Sequence, residues 1–215
     1  MRIDPAGAPF IAGALVVGVL LLVLGFDIPA AAAAVLAGFF GFFFRDPARQ
    51  PPSKQGVVVA PADGRVVEAG PARSDVAPAG AWQQVSVFLS LMDVHVNRVP
   101  VSGTVTRVEY RSGRFLPAYR AEAADENERC ETWFSHAGQT VVCRQVVGVL
   151  ARRVVCRLAP GMAVDTGQRL GVMKFGSRMD LFIPEGVPLR VRAGDTVRGG
   201  ETVVAELASP PDASS

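Results

Sequence analysis

The chain is poor in the side chains that bind metals. Its 215 residues include two histidines, His95 and His136, and three cysteines, Cys130, Cys143 and Cys156. The cysteines are odd in number and form no Cys-x-x-Cys pair, which argues against a zinc site, and no metal is expected. They read as small buried apolar residues of a reducing compartment. Excess charge is missing as well. Twenty-two basic and 20 acidic residues leave +2, too little to draw the protein onto a nucleic acid, and no such partner is expected. Aromatic residues make up 7% and charged ones 20%. The chain also lacks a Gly-x-Ser-x-Gly motif and the alternation of strands and helices that would go with it, which argues against a serine hydrolase built on Ser177, His95 and Asp63.

What is present in quantity is apolar. Hydrophobic residues reach 49%, too many for an ordinary soluble domain, so part of the chain meets lipid. Pro5 to Phe26 carries no charge and is long enough to span a hydrocarbon core of about 30 Å. Asp27-Ile28-Pro29 interrupts the run, and a second uncharged stretch ends in Phe42-Phe43-Phe44 after about 26 Å of helix at about 1.5 Å per residue. Arg2 precedes the first segment and Arg45, Arg49 and Lys54 follow the second, which predicts a hairpin with both ends cytoplasmic. The hairpin either spans the bilayer or dips into one leaflet. A cleaved signal peptide is the rival, with Ala30 to Ala34 as its small-residue site and Arg2 as its single basic residue.

Twenty-two glycines and 16 prolines suit a β-rich core with many tight turns. After Pro51-Pro52, short β-branched runs such as Val57–Val59, Val85–Leu89 and Thr104–Val108 are cut by turn residues. The fold class expected is mainly β, a compact sandwich or barrel-sandwich-like core preceded by the helical membrane hairpin. Its divisions are 1–46 for the hairpin, 47–208 for the β domain and 209–215 for a polar tail. Arg120 to Arg129 is a charged helix or loop between strands. Gly161 to Leu170 repeats in Gly194 to Val203, sharing glycine, valine, glycine and a final aliphatic residue. This implies two alike hairpins of the hammerhead type seen in biotinyl and lipoyl carrier domains.

Between those hairpins lies Met173-Lys174-Phe175-Gly176-Ser177-Arg178. One reading makes Lys174 a carrier lysine at a hairpin tip, acylated by biotin or lipoate in a membrane-tethered carrier domain. The other makes Gly176-Ser177 the reactive pair, since a glycine leaves its carbonyl carbon uncrowded for attack by the next hydroxyl.

Five further segments decide between them: Phe43-Phe44-Arg45-Asp46-Pro47, Ala60-Pro61-Ala62-Asp63-Gly64-Arg65-Val66, Met92-Asp93-Val94-His95-Val96-Asn97-Arg98-Val99-Pro100, Glu126-Asn127-Glu128-Arg129 and Ala151-Arg152-Arg153. Together with Phe175-Gly176-Ser177-Arg178 they resemble the short form of bacterial phosphatidylserine decarboxylase, a pyruvoyl enzyme. The resemblance implies that Ser177 attacks the Gly176 carbonyl and that residue 177 becomes a pyruvoyl group, leaving a β chain that ends at 176 and an α chain that starts at 177. That group would form a Schiff base with phosphatidylserine and release CO₂, giving phosphatidylethanolamine. His95 would move protons, with Asp63 orienting it as in a hydrolase triad. The long-form enzymes carry two histidines three apart here, whereas this chain has His95 and then Arg98, so the division of proton transfers between His95 and Asp63 is open. Asp93 is a candidate partner for Arg98. The resemblance also implies a homodimer at the bacterial inner membrane, with the catalytic domain on the cytoplasmic side. Read as a device for substrate access alone, the hairpin would be dispensable for self-cleavage, because Asp63, His95 and Ser177 all lie beyond residue 44.

Overall fold

The computed structural model describes residues 2–117, 126–148, 154–174 and 177–207. Strand β1 (Arg2–Ile3) and a short 3-10 turn lead into helices α1 (Ala8–Val23) and α2 (Asp27–Phe43), which pack on each other as a hairpin. Gly25, at φ +79°, makes the turn between them. Small residues line the contact: Ala14, Ala30, Ala33 and Ala37 are buried, and a side chain at Gly18 would touch Ala33. The outward side is apolar, with Leu15, Val16, Val19, Leu20, Val23 and Val35 all exposed. Water would not favour such a surface, but lipid matches it. The stretch Pro5–Val23, 19 residues, is long and apolar enough to cross a membrane, and α2 is shorter. Strand β2 (Arg45–Asp46) pairs with β1 and closes the base of the hairpin.

The rest is β, as expected. In chain order the strands are β3 (Val57–Val59), β4 (Gly64–Pro71), β5 (Trp82–Leu89), β6 (Val96–Arg98), β7 (Gly103–Arg111), β8 (Arg129–His136), β9 (Gln139–Val146), β10 (Val155–Cys156), β11 (Ala163–Val164), β12 (Arg169–Val172), β13 (Ser177–Pro184), β14 (Thr196–Val197) and β15 (Val203–Glu206). Eight of them form an antiparallel sheet in the order β11-β7-β8-β9-β13-β5-β4-β14, while β10-β12-β6 and β15-β3 form two small sheets. One core cluster joins all three: Val85, Val87, Met179 and Leu181 of the large sheet meet Leu170 and Val58 of the small ones. The three β-branched runs read from the sequence all lie in strands.

The repeat of Gly161–Leu170 in Gly194–Val203 is present in three dimensions, and it has a counterpart that the glycine pattern alone did not reveal. Ala60-Pro61-Ala62-Asp63-Gly64 and Val99-Pro100-Val101-Ser102-Gly103 occupy equivalent places. Gly200 N–H donates to the Ala60 carbonyl as Gly167 N–H does to Val99, and Gly194 N–H donates to Val66 as Gly161 N–H does to Val105. The turn glycines Gly167 and Gly200, at φ +78° and +80°, approach closely, since a Cβ on Gly200 would lie 3.4 Å from Gly167 Cα. The core is thus two like halves related by a pseudo-twofold.

Two expectations change. The β12 and β13 strands belong to different sheets, so Met173-Lys174 is a crossing between sheets and no hairpin tip. The Lys174 ammonium lies 5.0 Å from the Phe10 ring centre of α1, an arrangement that suits a cation on an aromatic face and leaves the carrier reading without its exposed lysine. The charged stretch Arg120 to Arg129 ends in strand, because Arg129 begins β8. Its first part, together with Ala151-Arg152-Arg153, the polar tail and Gly176, lies outside the described residues.

Candidate active site

Ser177 opens β13, whose neighbours on either side are β9 and β5. A strand in that central position is covered on both faces, and Ser177 through Ile183 are all buried. Alternation along the strand sends Ser177, Met179, Leu181 and Ile183 toward the core and Arg178 and Asp180 to the other face. There Arg178 donates to Asp180 at 2.5 Å and to Glu68 at 2.7 Å, which fixes the start of the strand. The Ser177 hydroxyl itself has no hydrogen-bond partner among the described residues. Burying a hydroxyl in that way costs about 1–3 kcal/mol.

His95 reaches the same end of the core from the other sheet. Its carbonyl accepts from Met173 N–H at 3.2 Å, one step beyond the pairing of Val96 with Val172, so His95 stands at the end of β6 toward which β12 runs on to Ser177. The turn before it is capped by Asp93, whose carboxylate accepts from the Ser90 N–H at 2.8 Å and the Ser90 hydroxyl at 2.7 Å. The Asp93 carbonyl accepts from His95 Nδ1 at 3.0 Å. A carbonyl only accepts, so Nδ1 carries the proton and Nε2 presents a lone pair. Nε2 is buried and has no partner among the described residues. Burial, more than any charge nearby, lowers the imidazole pKa from 6.5 to about 4, so His95 is neutral at physiological pH and is a base in waiting.

The ring of Phe43, the last residue of α2, stacks on that imidazole at 4.0 Å between centres. Phe43 and Phe44 are fully buried against Val172. A side chain at Gly7 would come within 2.5 Å of the Phe44 ring, so the first turn of the hairpin is closed on the aromatic pair. Asp4 binds Arg157 through two bonds of 2.7 and 2.6 Å. The hairpin is therefore keyed into the β domain at its base. The aromatic run read as part of a membrane segment also supplies a wall of the site, which composition alone could not disclose.

Asp63 sits elsewhere. Its carboxylate accepts from Arg49 at 2.7 Å and from the Gly199 N–H at 2.8 Å, at the place where the other half of the pseudo-twofold has Ser102. No hydrogen bond joins Asp63 to His95 among the described residues, and the group that orients His95 is the Asp93 backbone. Gly64 is required beside it, because at φ +146° a Cβ there would lie 2.1 Å from the Phe88 carbonyl oxygen. Arg98 pairs with Asp46 and also donates to the Pro47 carbonyl at 3.0 Å. Asp93 thus serves the Ser90 turn and leaves Arg98 to Asp46. Arg49 and Lys54, which follow the hairpin, are engaged with Asp63 and Glu206. Arg45 donates to the carbonyls of Phe42 and Met92.

Two residues whose roles sequence reasoning missed are Asn97, which lies inside the Met92–Pro100 motif, and Gln145, which lies in none; both are fully buried and joined by a 2.8 Å hydrogen bond. The signal lay in the period of two, which puts Asn97 on the face of His95.

A buried hydroxyl and a buried imidazole nitrogen, each lacking a hydrogen-bond partner among the described residues, are the elements an internal acyl shift needs. The profile of the phosphatidylserine decarboxylase family matches residues 36–205. Similar proteins carry the name phosphatidylserine decarboxylase proenzyme. That of Granulibacter bethesdensis is 43% identical over 208 residues, covering 94% of this chain and 84% of its own. Those of Trichlorobacter lovleyi and Geobacter metallireducens are 41% and 42% identical, with 95% and 94% of this chain covered and 96% and 94% of theirs. The chain belongs to the phosphatidylserine decarboxylase family.

Proposed function

We propose that this chain is a proenzyme that cleaves itself between Gly176 and Ser177 and then decarboxylates phosphatidylserine to phosphatidylethanolamine. The observation that carries the reading is that Ser177 Oγ and His95 Nε2 are both buried and both lack a hydrogen-bond partner among the described residues. His95 Nε2 takes the hydroxyl proton while Oγ attacks the carbonyl carbon of Gly176. The acyl group moves from nitrogen to oxygen, and the freed amine stays on residue 177. Removal of the Cα proton expels the Gly176 carboxylate and leaves dehydroalanine, whose imine form takes up water and releases ammonia. Atoms balance with one water consumed and one ammonia lost.

The surroundings fit a pyruvoyl group at position 177: Leu89 pairs with Ser177 across β5, and Met179 and Met173 are fully buried. Once formed, the group supplies a carbonyl that takes the substrate amine as a Schiff base and accepts the electron pair left by CO₂. Loss of CO₂ takes up one proton overall, and His95 Nε2, charged with a proton from solvent, delivers it to the carbon from which CO₂ departed. Asp63 acts through Arg49 and Gly199 as a positioning residue for the turn that carries it.

The hairpin, residues 1–46, lies in the inner membrane in this reading, with the β domain, 47–208, on its cytoplasmic side. Phosphatidylserine keeps its acyl chains in the bilayer while its head group reaches the base of α2, where Phe43 meets His95. The test is conversion of phosphatidylserine to phosphatidylethanolamine with release of CO₂ by the purified protein. Wild type should convert it and Ser177→Ala should not; equal turnover by both would reject the reading.

A further inference from the structure

Beyond Ser177 and His95, two more buried side-chain atoms nearby lack partners among the described residues: Asn97 Nδ2 and Gln145 Oε1. Strand register places all four together. Gln145 of β9 is opposite Met179 of β13, and residues opposite each other share a face, so Gln145 lies on the face of Met179 and of Ser177 two residues away. Asn97 shares a face with His95, two residues before it. The bond from Gln145 Nε2 to Asn97 Oδ1, 2.8 Å, links the two sheets one layer below the Ser177–His95 layer. The neighbouring arginines turn away: Arg98 to Asp46, Arg144 to Glu131 and Arg178 to Glu68 and Asp180.

We infer that the Asn97–Gln145 pair is the floor of the substrate site and reads an α-amino-acid head group, with Asn97 Nδ2 donating to its carboxylate and Gln145 Oε1 accepting from its amine. The inference rests on the decarboxylase reading above. The pair offers one free donor and one free acceptor, the complement of a head group that carries a carboxylate and an amine on one carbon. Buried amide groups left half-satisfied are exceptions in native cores, and each calls for a partner or a function. A neutral donor also suits the chemistry. A guanidinium would hold the carboxylate through a charge-assisted bond about twice as strong, and that attraction would be lost as CO₂ leaves, raising the barrier. The product has no carboxylate for Asn97 to hold, which favours its release.

The test uses short-chain phospholipids whose head-group amine is replaced by a hydroxyl, one with the carboxylate and one without, neither of which can react. Calorimetry on the mature wild-type protein should find the carboxylate lipid bound about tenfold tighter, and Asn97→Ala should lose that preference while binding the other lipid as before. KM for phosphatidylserine should rise about tenfold in the same variant. Equal affinity of wild type for the two lipids overturns the inference without any variant. So does an equal loss on both lipids in Asn97→Ala, which would mark a purely structural pair. Asn97→Ser is the second variant and should keep part of the preference. If both variants unfold at the wild-type temperature yet fail to cleave, the pair belongs to maturation and the inference is wrong. Absence of any product from wild type would instead reject the decarboxylase reading itself.

Discussion

Phe43 lies flat against His95, 4.0 Å between ring centres and 29° between planes. The last residue of the second apolar helix is thereby a wall of the candidate active site, and the hairpin is more than a tether. Removing residues 1–44 should expose His95 and Val172 to water and impair self-cleavage as well as lipid turnover. This reverses the expectation drawn from sequence order, where every site residue lay beyond position 44. Phe43→Ala is the finer probe. Loss of a buried aromatic ring costs about 3–5 kcal/mol, so its unfolding midpoint should drop, and the His95 pKa should move up toward 6.5 in an NMR titration. An unchanged pKa would show that Phe43 does not shield the imidazole.

The low pKa of His95 also makes stability depend on pH. Burial holds it at about 4 against 6.5 unfolded, so between those values the unfolded chain binds the extra proton and stability rises with pH. The contribution is complete above about pH 6.5 and is lost as pH falls toward 4, worth roughly 3 kcal/mol at about 1.4 kcal/mol per pH unit. Denaturant unfolding of wild type and His95→Gln across this window should show the slope in the first and a weaker slope in the second.

His95→Ala should slow self-cleavage and decarboxylation, each by about 10² to 10⁴, the usual cost of a positioned acid or base. Cleavage is followed on a denaturing gel and turnover by release of CO₂. Normal cleavage with failed turnover would confine His95 to the second reaction.

Asp63→Ala takes the nearer carboxylate from the Arg49 guanidinium, whose side chain is 7% exposed, and leaves it Glu201 at 3.6 Å. Breaking a buried pair from one side costs about 3–5 kcal/mol, and removing both charges costs less. Arg49→Met in the same chain should therefore recover much of the lost stability and, with it, part of the cleavage. A double variant that is stable yet fully uncleaved would give Asp63 a direct role in proton transfer.

Much of this was legible in the chain. The strands followed from β-branched runs between turn residues, the hairpin from uncharged length, and the repeated turns from Gly161, Gly167, Gly194 and Gly200. Ser177 and His95 emerged from ordered motifs. The partners did not, because pairing is set by tertiary placement: Asp63 is 14 residues from Arg49 and 136 from Gly199 in sequence, and nothing in its motif distinguishes those partners from His95. Phe43 was hidden for another reason, since an aromatic residue at the end of an apolar helix fits lipid and protein core equally well. Asn97 could have been found from its spacing to His95, but Gln145 required the register of β9 on β13.

Intact mass of the purified chain tests the central claim most directly. Self-cleavage predicts two species, one of residues 1–176 and one of 39 residues (215 minus 176), the smaller lighter by one ammonia than the same chain begun with serine. Their masses should sum to the precursor plus one water less one ammonia, and Ser177→Ala should give the uncut precursor alone. A wild-type chain that remains whole while turning over phosphatidylserine, or a small chain that begins with an intact serine, would contradict it.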